Sequence, residues 1–383
     1  MARPFGRVVA PAAGDLVLYT IGPGFGESQV VLLPDGRTLV VDVCVHNGCN
    51  LTVALLRALG RTKVDLLVVT HSDLDHIRGL PGLVSAFRPD RAWQFPGAGD
   101  LRALMAKWLR KQPGDRRLEE LACGLEALDV LADENTAIEV ACDTRSWPDE
   151  TGPYAVHCLA PTQHDQVRNR RHLDDLLEWD GSKLTLPDRI TQFLGGRHRG
   201  LATRPNVLSV ALAIEWGSVR VVLGGDVEAG DGTDESGWRG VVSLLRRRGR
   251  LHLIEKARVV KVSHHGSKGA YVVEVWQLHA RAAGETVAVV APFRRGNVAL
   301  PDDTFLSEVR AHAGHLILTS DGHGAHVRAR AAGWSVSKKG PPCQGPLGIV
   351  TVRADGGIGF LLGRQALSFD LSVRRNASPP ESA

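Results

Sequence analysis

No stretch of the 383 residues approaches the roughly 18–20 consecutive apolar residues of a membrane span, so no membrane partnership is expected. The opening MARPFGRVVAPAAGDLVLYT carries basic residues but no continuous apolar run, and a secretory signal is not expected from it. Cysteine is scarce. Six, irregularly spaced along so long a chain, do not make a disulfide framework and point to free thiols in a reducing compartment, the cytoplasm. An excess of one charge is also lacking: a formal net charge of +4 neither requires a polyanionic partner nor repels one. No internal repeat of fixed period is found, which sets aside repeat architectures. What is present is ordinary soluble composition, 43% apolar and 23% charged, in a chain long enough to bury a substantial core.

The pattern along the chain begins with short β-prone runs, DLVLYTIG, SQVVLLP and TLVVDV, separated by turn residues. LTVALLRALG has helical spacing and a terminal glycine, and KVDLLVVT is the near-continuous apolar run of a strand covered on both faces. Residues from about 96 to 200 differ, with amphipathic helix candidates and a charged, glycine-punctuated stretch expected to lie on the surface as an insertion. Strand patterns return in NVLSVALAIEW, SVRVVLGGD, ARVVKVSHHGS, TVAVVAP and HLILTSD, with helical segments between them. Strands and helices in this order predict a layered α/β domain over residues 12–374, with residues 375–383 a frayed tail.

One segment asks for chemistry. THSDLDHIRGL places His71, Asp73, Asp75 and His76 within six positions, directly where an apolar strand ends. In an extended segment residues two apart project to one side, so His71 and Asp73 face one space and Asp75 and His76 reach a neighbouring one. Two such pairs suit two metal ions about 3.5–4 Å apart. The plainer alternative is a polar turn in which Asp73 or Asp75 caps the helix that follows. Distant segments bear on the choice. VVLGGDVEAG ends a strand in two glycines and Asp226, where small residues let the backbone of a shared carboxylate ligand approach closely. VVKVSHHGSKG ends another in His264 and His265, adjacent residues expected to point to opposite sides. His264 is the expected ligand, with His265 a second candidate, in contact with substrate or supporting a ligand. Asp42, at the end of TLVVDV, is expected behind the ligands.

HSDLDH, GGD and SHHGS, in this order and each at a strand end, resemble the metallo-β-lactamase fold. An aspartate at the second ligand of the first motif, as at Asp73, is similar to the soluble hydrolase domain of ComEC-type competence proteins and its stand-alone relatives. The resemblance covers roughly residues 15–95 and 205–330. It implies an αββα sandwich with two metal ions along one edge, in a group associated with phosphodiester hydrolysis. Carried over by position, His71, Asp73 and Asp226 hold one ion, and Asp75, His76, Asp226 and one of His264 and His265 hold the other. A further ligand position falls on Asn206, which would ligate, position a water or cap the strand. The chain departs from the family where Asp42 is followed by Val43 and Cys44, where Arg78 replaces a glycine, and where Ala299-Leu300-Pro301 lacks a histidine.

The function expected is metal-dependent hydrolysis of a phosphodiester, nucleic acid included, by a hydroxide shared between two divalent ions, with Asp75, Asp226 and His265 as catalytic residues. The Asp73 carboxylate makes one site harder, which favours Mn²⁺ or Mg²⁺ while Zn²⁺ still fits. Ser267 and Lys268 are candidates to bind phosphate, and so are Arg168, Arg170 and Arg171, Arg197, Arg199 and Arg204, and Arg246–Arg248, although solvated helix ends are the preferred account of the last group. Trp93, Trp108, Trp179 and Trp276 are candidates for stacking on bases, with core packing the plainer role. GPGFG reads as a tight turn, CVHNGC as free thiols with a loop histidine, and His323 and His326 as turn residues. Rival expectations are a hydrolase of a lactone, thioester or amide, and a metal-stabilised subunit that docks a protein partner through the 96–200 insertion.

Overall fold

A computed structural model describes residues 5, 8, 12–109, 114, 116–134, 136–149, 152–177, 205–280, 285–320, 324–332, 334–339, 346–353, 357–362 and 367–371. The expected tail, Arg197–Arg204, Trp179 and His323 lie outside the described residues, as does the side chain of Trp108.

The apolar runs between turn residues become strands, because their β-branched side chains pack well on a pleated surface. The first sheet has eight strands in the order Ile358–Leu362, Leu347–Val352, Leu16–Ile21, Ser28–Leu32, Thr38–Val41, Leu66–Val69, Ala92–Gln94 and Ala137–Glu139. It is antiparallel up to Thr38–Val41 and parallel from there on. The second sheet has nine: Trp334–Lys339, Leu367–Leu371, His315–Leu318, Val287–Val290, Val259–Lys261, Val219–Leu223, Ala211–Trp216, Tyr154–Ala160 and Ser146–Trp147. The four from His315–Leu318 to Val219–Leu223 are parallel.

Alternation along each strand separates the layers. Val221, Val259, Val287, Val289 and Ile317 face the first sheet, while Val222, Val260, Ala288, Val290 and Leu316 pack against helices Gly237–Arg247, Val273–His279, Asp303–Val309 and Ala325–Ala331. Helices Leu51–Ala58, Leu80–Ala86 and Arg116–Asp133 pack on the first sheet, which completes an αββα sandwich of the α/β class.

The described part of the 96–200 segment is mainly helical, in Ala98–Leu109, Arg116–Asp133 and Gln163–Leu177. It is also woven into the sandwich, because Ala137–Glu139 extends the first sheet and Tyr154–Ala160 the second. Its long helix supports the short turn Leu74–Ile77 that carries the histidine motif. A Cβ on Gly124 would stand 2.8 Å from Ile77 Cγ1, so glycine permits this approach. Arg78, where the family has a glycine, pairs with Glu120 of the same helix at 2.8 Å. Trp93 and Trp276 are core residues.

Parallel strands all present their carboxyl ends at one edge. The residues following Thr38–Val41, Leu66–Val69, Val219–Leu223, Val259–Lys261 and Val287–Val290 therefore converge, and loops at such an edge are where α/β sheets bind ligands.

Candidate metal centre

Asp42 leaves its strand with φ of 57°, a left-handed conformation that aspartate tolerates better than most residues. The turn drives its fully buried carboxylate under the histidine motif. Oδ1 accepts the Thr70 N–H at 2.8 Å, and Oδ2 accepts both the Thr70 hydroxyl and His76 Nδ1 at 2.7 Å. Because the Thr70 hydroxyl donates to Asp42, it accepts at 2.8 Å from Nδ1–H of His71. One carboxylate thus fixes both rings.

The opposite nitrogens face a common space. His76 Nε2 lies 3.6 Å from both Asp75 Oδ2 and Asp226 Oδ2, and His71 Nε2 lies 3.7 Å from Asp73 Oδ2 and 4.0 Å from Asp226 Oδ2. Asp73 is the residue that begins the helix Leu74–Ile77, yet its side chain makes no capping hydrogen bond. The capping alternative is not realised at Asp73, which stands at the rim beside His71.

Asp226 enters from the second sheet. A Cβ on Gly225 would stand 2.4 Å from the Val210 carbonyl, and one on Gly224 2.2 Å from Ser263 Oγ, so the paired glycines are required for the close approach. The Asp226 N–H donates to Ser209 Oγ at 2.8 Å, which leaves the carboxylate to the centre.

Of the adjacent histidines, His265 occupies the centre and His264 does not, which corrects the choice of His264 as ligand. Both residues are left-handed, with φ of 47° and 54°, so the alternation of an extended strand does not apply to them. His265 Nε2 lies 3.5 Å from Asp75 Oδ2 and 3.6 Å from Asp226 Oδ2, while Nδ1–H is held by the Ala291 carbonyl at 3.0 Å. His264 turns aside to Asn206 Nδ2 at 3.2 Å and Glu228 Oε1 at 3.5 Å. Asn206 therefore contacts a histidine outside the cluster.

Two residues of the centre escaped the sequence reading. Glu27, fully buried, forms a short ion pair with the equally buried Lys261, and its other oxygen lies 3.2 Å from His265 Nδ1. Lys261 also donates to the Gly225 carbonyl at 3.2 Å. A lysine in the apolar run VVKVS was the available signal, since a charge inside a covered strand needs a partner.

Ser267 and Lys268 are not drawn into this cluster. The Ser267 hydroxyl accepts from the Gly269 N–H at 3.2 Å and caps its own turn, and Lys268 is exposed. Three of the described basic residues are engaged elsewhere: Arg168 pairs with Asp231, Arg246 with Glu274, and Arg248 with Asp143. GPGFG forms the connection between two antiparallel strands. Cys44, Cys49, Cys123, Cys142 and Cys158 are free, and His326 lies in the first turn of a helix rather than a loop.

The electrostatics describe a site short of positive charge. Burial would push its carboxyls up, but His76 and His265 outweigh it and hold Asp75 down at about 2. Burial would likewise push His265 down, yet Asp226 and Glu27 carry it up to about 10, and His76 also rises well above its ordinary value. His71, buried and facing His76, falls to about 3. Desolvation and then the charge of Asp75 push the Asp73 carboxyl up to about 7.

These residues fit divalent metal. Nε2 of His71, His76 and His265 and Oδ1 of Asp226 are buried without a hydrogen-bond partner, although the other nitrogen of each ring is held. Unpartnered buried polar atoms are costly, whereas metal-ligating histidines are oriented through the far nitrogen in this way. Two ligand atoms bound about 2.1 Å from one tetrahedral ion stand about 3.4 Å apart. The 3.5–3.6 Å separations among Asp75, His76, His265 and Asp226 match that spacing. His71, His76 and Asp226 make one potential ligand group, and Asp75, His76 and His265 another.

A sequence model of the metallo-beta-lactamase superfamily matches residues 22–282, more than half of the chain and all of the cluster. The chain belongs to that superfamily. Metallo-beta-lactamase-fold proteins are also found among solved structures. YhfI from Bacillus subtilis is 12% identical, with 78% of this chain and 93% of that one covered and a TM-score of 0.36. Igni18, a metallo hydrolase from Ignicoccus hospitalis, is 12% identical, with 77% and 91% covered and a TM-score of 0.36. No curated protein sequence matches the chain. Membership places it among metal-dependent hydrolases. No helix among the described residues is long and apolar enough to cross a membrane.

Proposed function

We propose that this metallo-beta-lactamase-fold protein is a phosphodiesterase or nuclease related to the hydrolase domain of ComEC-type competence proteins, and that it uses two divalent ions. The observation that carries this reading is the carboxylate of Asp73, 3.7 Å from His71 Nε2 at the rim of the cluster. An imidazole there would soften the site. A carboxylate makes it harder and more anionic, suited to Mn²⁺ or Mg²⁺ as well as Zn²⁺, and to the hard oxygens of a phosphoryl group.

His71, Asp73 and Asp226 would hold one ion, and Asp75, His76, His265 and Asp226 the other. Divalent ions held there supply Lewis-acid stabilisation of the phosphoryl group and a water acidic enough to lose its proton near neutral pH. The chain's own part is preorganisation. Asp42 and Thr70 lock the rings of His71 and His76, the Ala291 carbonyl locks His265, and the second oxygen of Asp75 orients the attacking water. Free cysteines, five among the described residues, accord with a reducing compartment, which we take to be the cytoplasm. The 96–200 segment is the proposed face for a protein partner.

The test is hydrolysis of bis-p-nitrophenyl phosphate and of labelled single- and double-stranded DNA and RNA with Mn²⁺, Mg²⁺ or Zn²⁺. His71→Ala and Asp226→Ala are expected to lower metal-dependent turnover by more than the ~10–100-fold typical of residues that only support a ligand. Metal-loaded, folded protein that cleaves none of these substrates would sink the reading, and lactones and thioesters would be tried next.

A further inference from the structure

The two-stranded hairpin Phe293–Arg295 and Val298–Leu300 follows the strand Val287–Val290, whose carboxyl end opens on the metal centre. Its orientation is pinned on two sides. The Phe293 ring stacks on His265 with centroids 4.9 Å apart and planes at 25°, and lies 5.7 Å from Phe25. The Arg294 N–H donates to the Gly24 carbonyl at 2.7 Å, which ties the hairpin to the first sheet. Residues two apart on a strand share a face. Since Phe293 is turned to His265, Arg295 is turned to the same side, over the centre, and Arg294 away from it. Val298 pairs directly with Arg295 across the hairpin, so it shares that face, and it is 52% exposed.

Arg295 is exposed and forms no ion pair with a described residue, in contrast to Arg168, Arg246 and Arg248. A solvated hairpin tip would account for exposure alone. It would not account for a cation and an exposed aliphatic side chain on the one face that Phe293 aligns with a ligand histidine.

We propose that Arg295 is a substrate-binding residue that grips a non-bridging phosphoryl oxygen of an anionic diester at the metal centre, while Val298 packs against one of the two organic groups. The inference rests on the phosphodiester reading and deepens it. Guanidinium donors arranged as a fork suit this task, because they match two phosphoryl oxygens at once.

The test compares metal-loaded full-length protein with Arg295→Ala and Arg295→Lys, using inorganic phosphate binding and bis-p-nitrophenyl phosphate kinetics. Metal content is measured in all three and is expected to be equal. Arg295→Ala should weaken phosphate binding and raise KM for the diester by about tenfold, the lower end for a charged hydrogen bond because the site is open to water. Arg295→Lys should recover part of the loss, since it keeps the charge without the fork. Phosphate affinity and KM within twofold of wild type, or a fall confined to kcat, would overturn the proposal. If wild-type protein turns over no diester but Arg295→Ala still weakens phosphate binding, the anion site stands and the phosphodiesterase reading falls. Diester turnover with unchanged phosphate affinity and KM would give the reverse result.

Discussion

Asp42 controls the centre through side chains that it holds without reaching the shared space itself. Its two oxygens accept from the Thr70 N–H, the Thr70 hydroxyl and His76 Nδ1, and Thr70 passes the constraint on to His71. Asparagine at this position keeps the shape but offers an N–H₂ where an acceptor is needed. Asp42→Asn should therefore lower metal affinity by about 10–100-fold with little change in fold. Chelator competition measures this directly, and an affinity within twofold of wild type would remove Asp42 from the account. The HSDLDH motif made His71 and His76 visible together, because both follow one strand end, whereas Asp42, 28 positions before Thr70, was legible only as the end of another strand. The choice between His264 and His265 was not visible. It depends on two successive left-handed residues, a conformation with no reliable sequence signal outside glycine and asparagine.

At the scale of elements, the buried pair of Glu27 and Lys261 joins the strand Ser28–Leu32 of one sheet to Val259–Lys261 of the other, immediately behind His265. A buried pair is stabilising only while both members remain, since removal of one leaves the other charge without compensation. Lys261→Met should cost about 3–5 kcal/mol, read from urea unfolding, and Glu27→Gln added to it should recover part of that. A single variant as stable as wild type would show that the pair contributes nothing. The histidine motif depends on an element as well. The helix Arg116–Asp133 lies in a region that the sequence pattern presented as a surface addition, yet Glu120 and Gly124 brace Arg78 and Ile77 beside the ligands. Amphipathic spacing predicts that such a helix packs on something. It does not say on what.

Across the whole molecule, the candidate ligands are divided between the layers: His71, Asp73, Asp75 and His76 follow a strand of the first sheet, and Asp226 and His265 follow strands of the second. An ion bound by both binds only the assembled sandwich, so it stabilises the fold by linkage, about 2.7 kcal/mol at a hundredfold excess over its dissociation constant. Melting of the Mn²⁺- or Zn²⁺-loaded protein should therefore fall by several degrees on addition of EDTA. The direction with pH follows from the raised imidazoles. His76 rises well above its ordinary value and His265 to about 10, so the folded chain holds protons that an ion must displace. Falling pH favours those protons over metal, and the stabilisation should be smaller at about pH 6 than at about pH 8. Identical melting with and without EDTA at both pH values would exclude a metal bridge between the sheets.

The sequence by itself determined the strand and helix pattern, the strand-end position of every acidic and imidazole ligand candidate, and the small residues before Asp226. These properties are local: periodicity, turn chemistry and the need of a close backbone approach for glycine act within a few residues. Only the tertiary structure decided which histidine of the pair faces the carboxylates, which lysine neutralises Glu27, and that Phe293 of the hairpin at 293–300 stacks on His265. The first two depend on two sheets meeting at one edge. Glu27 and Lys261 lie 234 positions apart, a juxtaposition set by burial of both sheet faces and invisible to any local pattern.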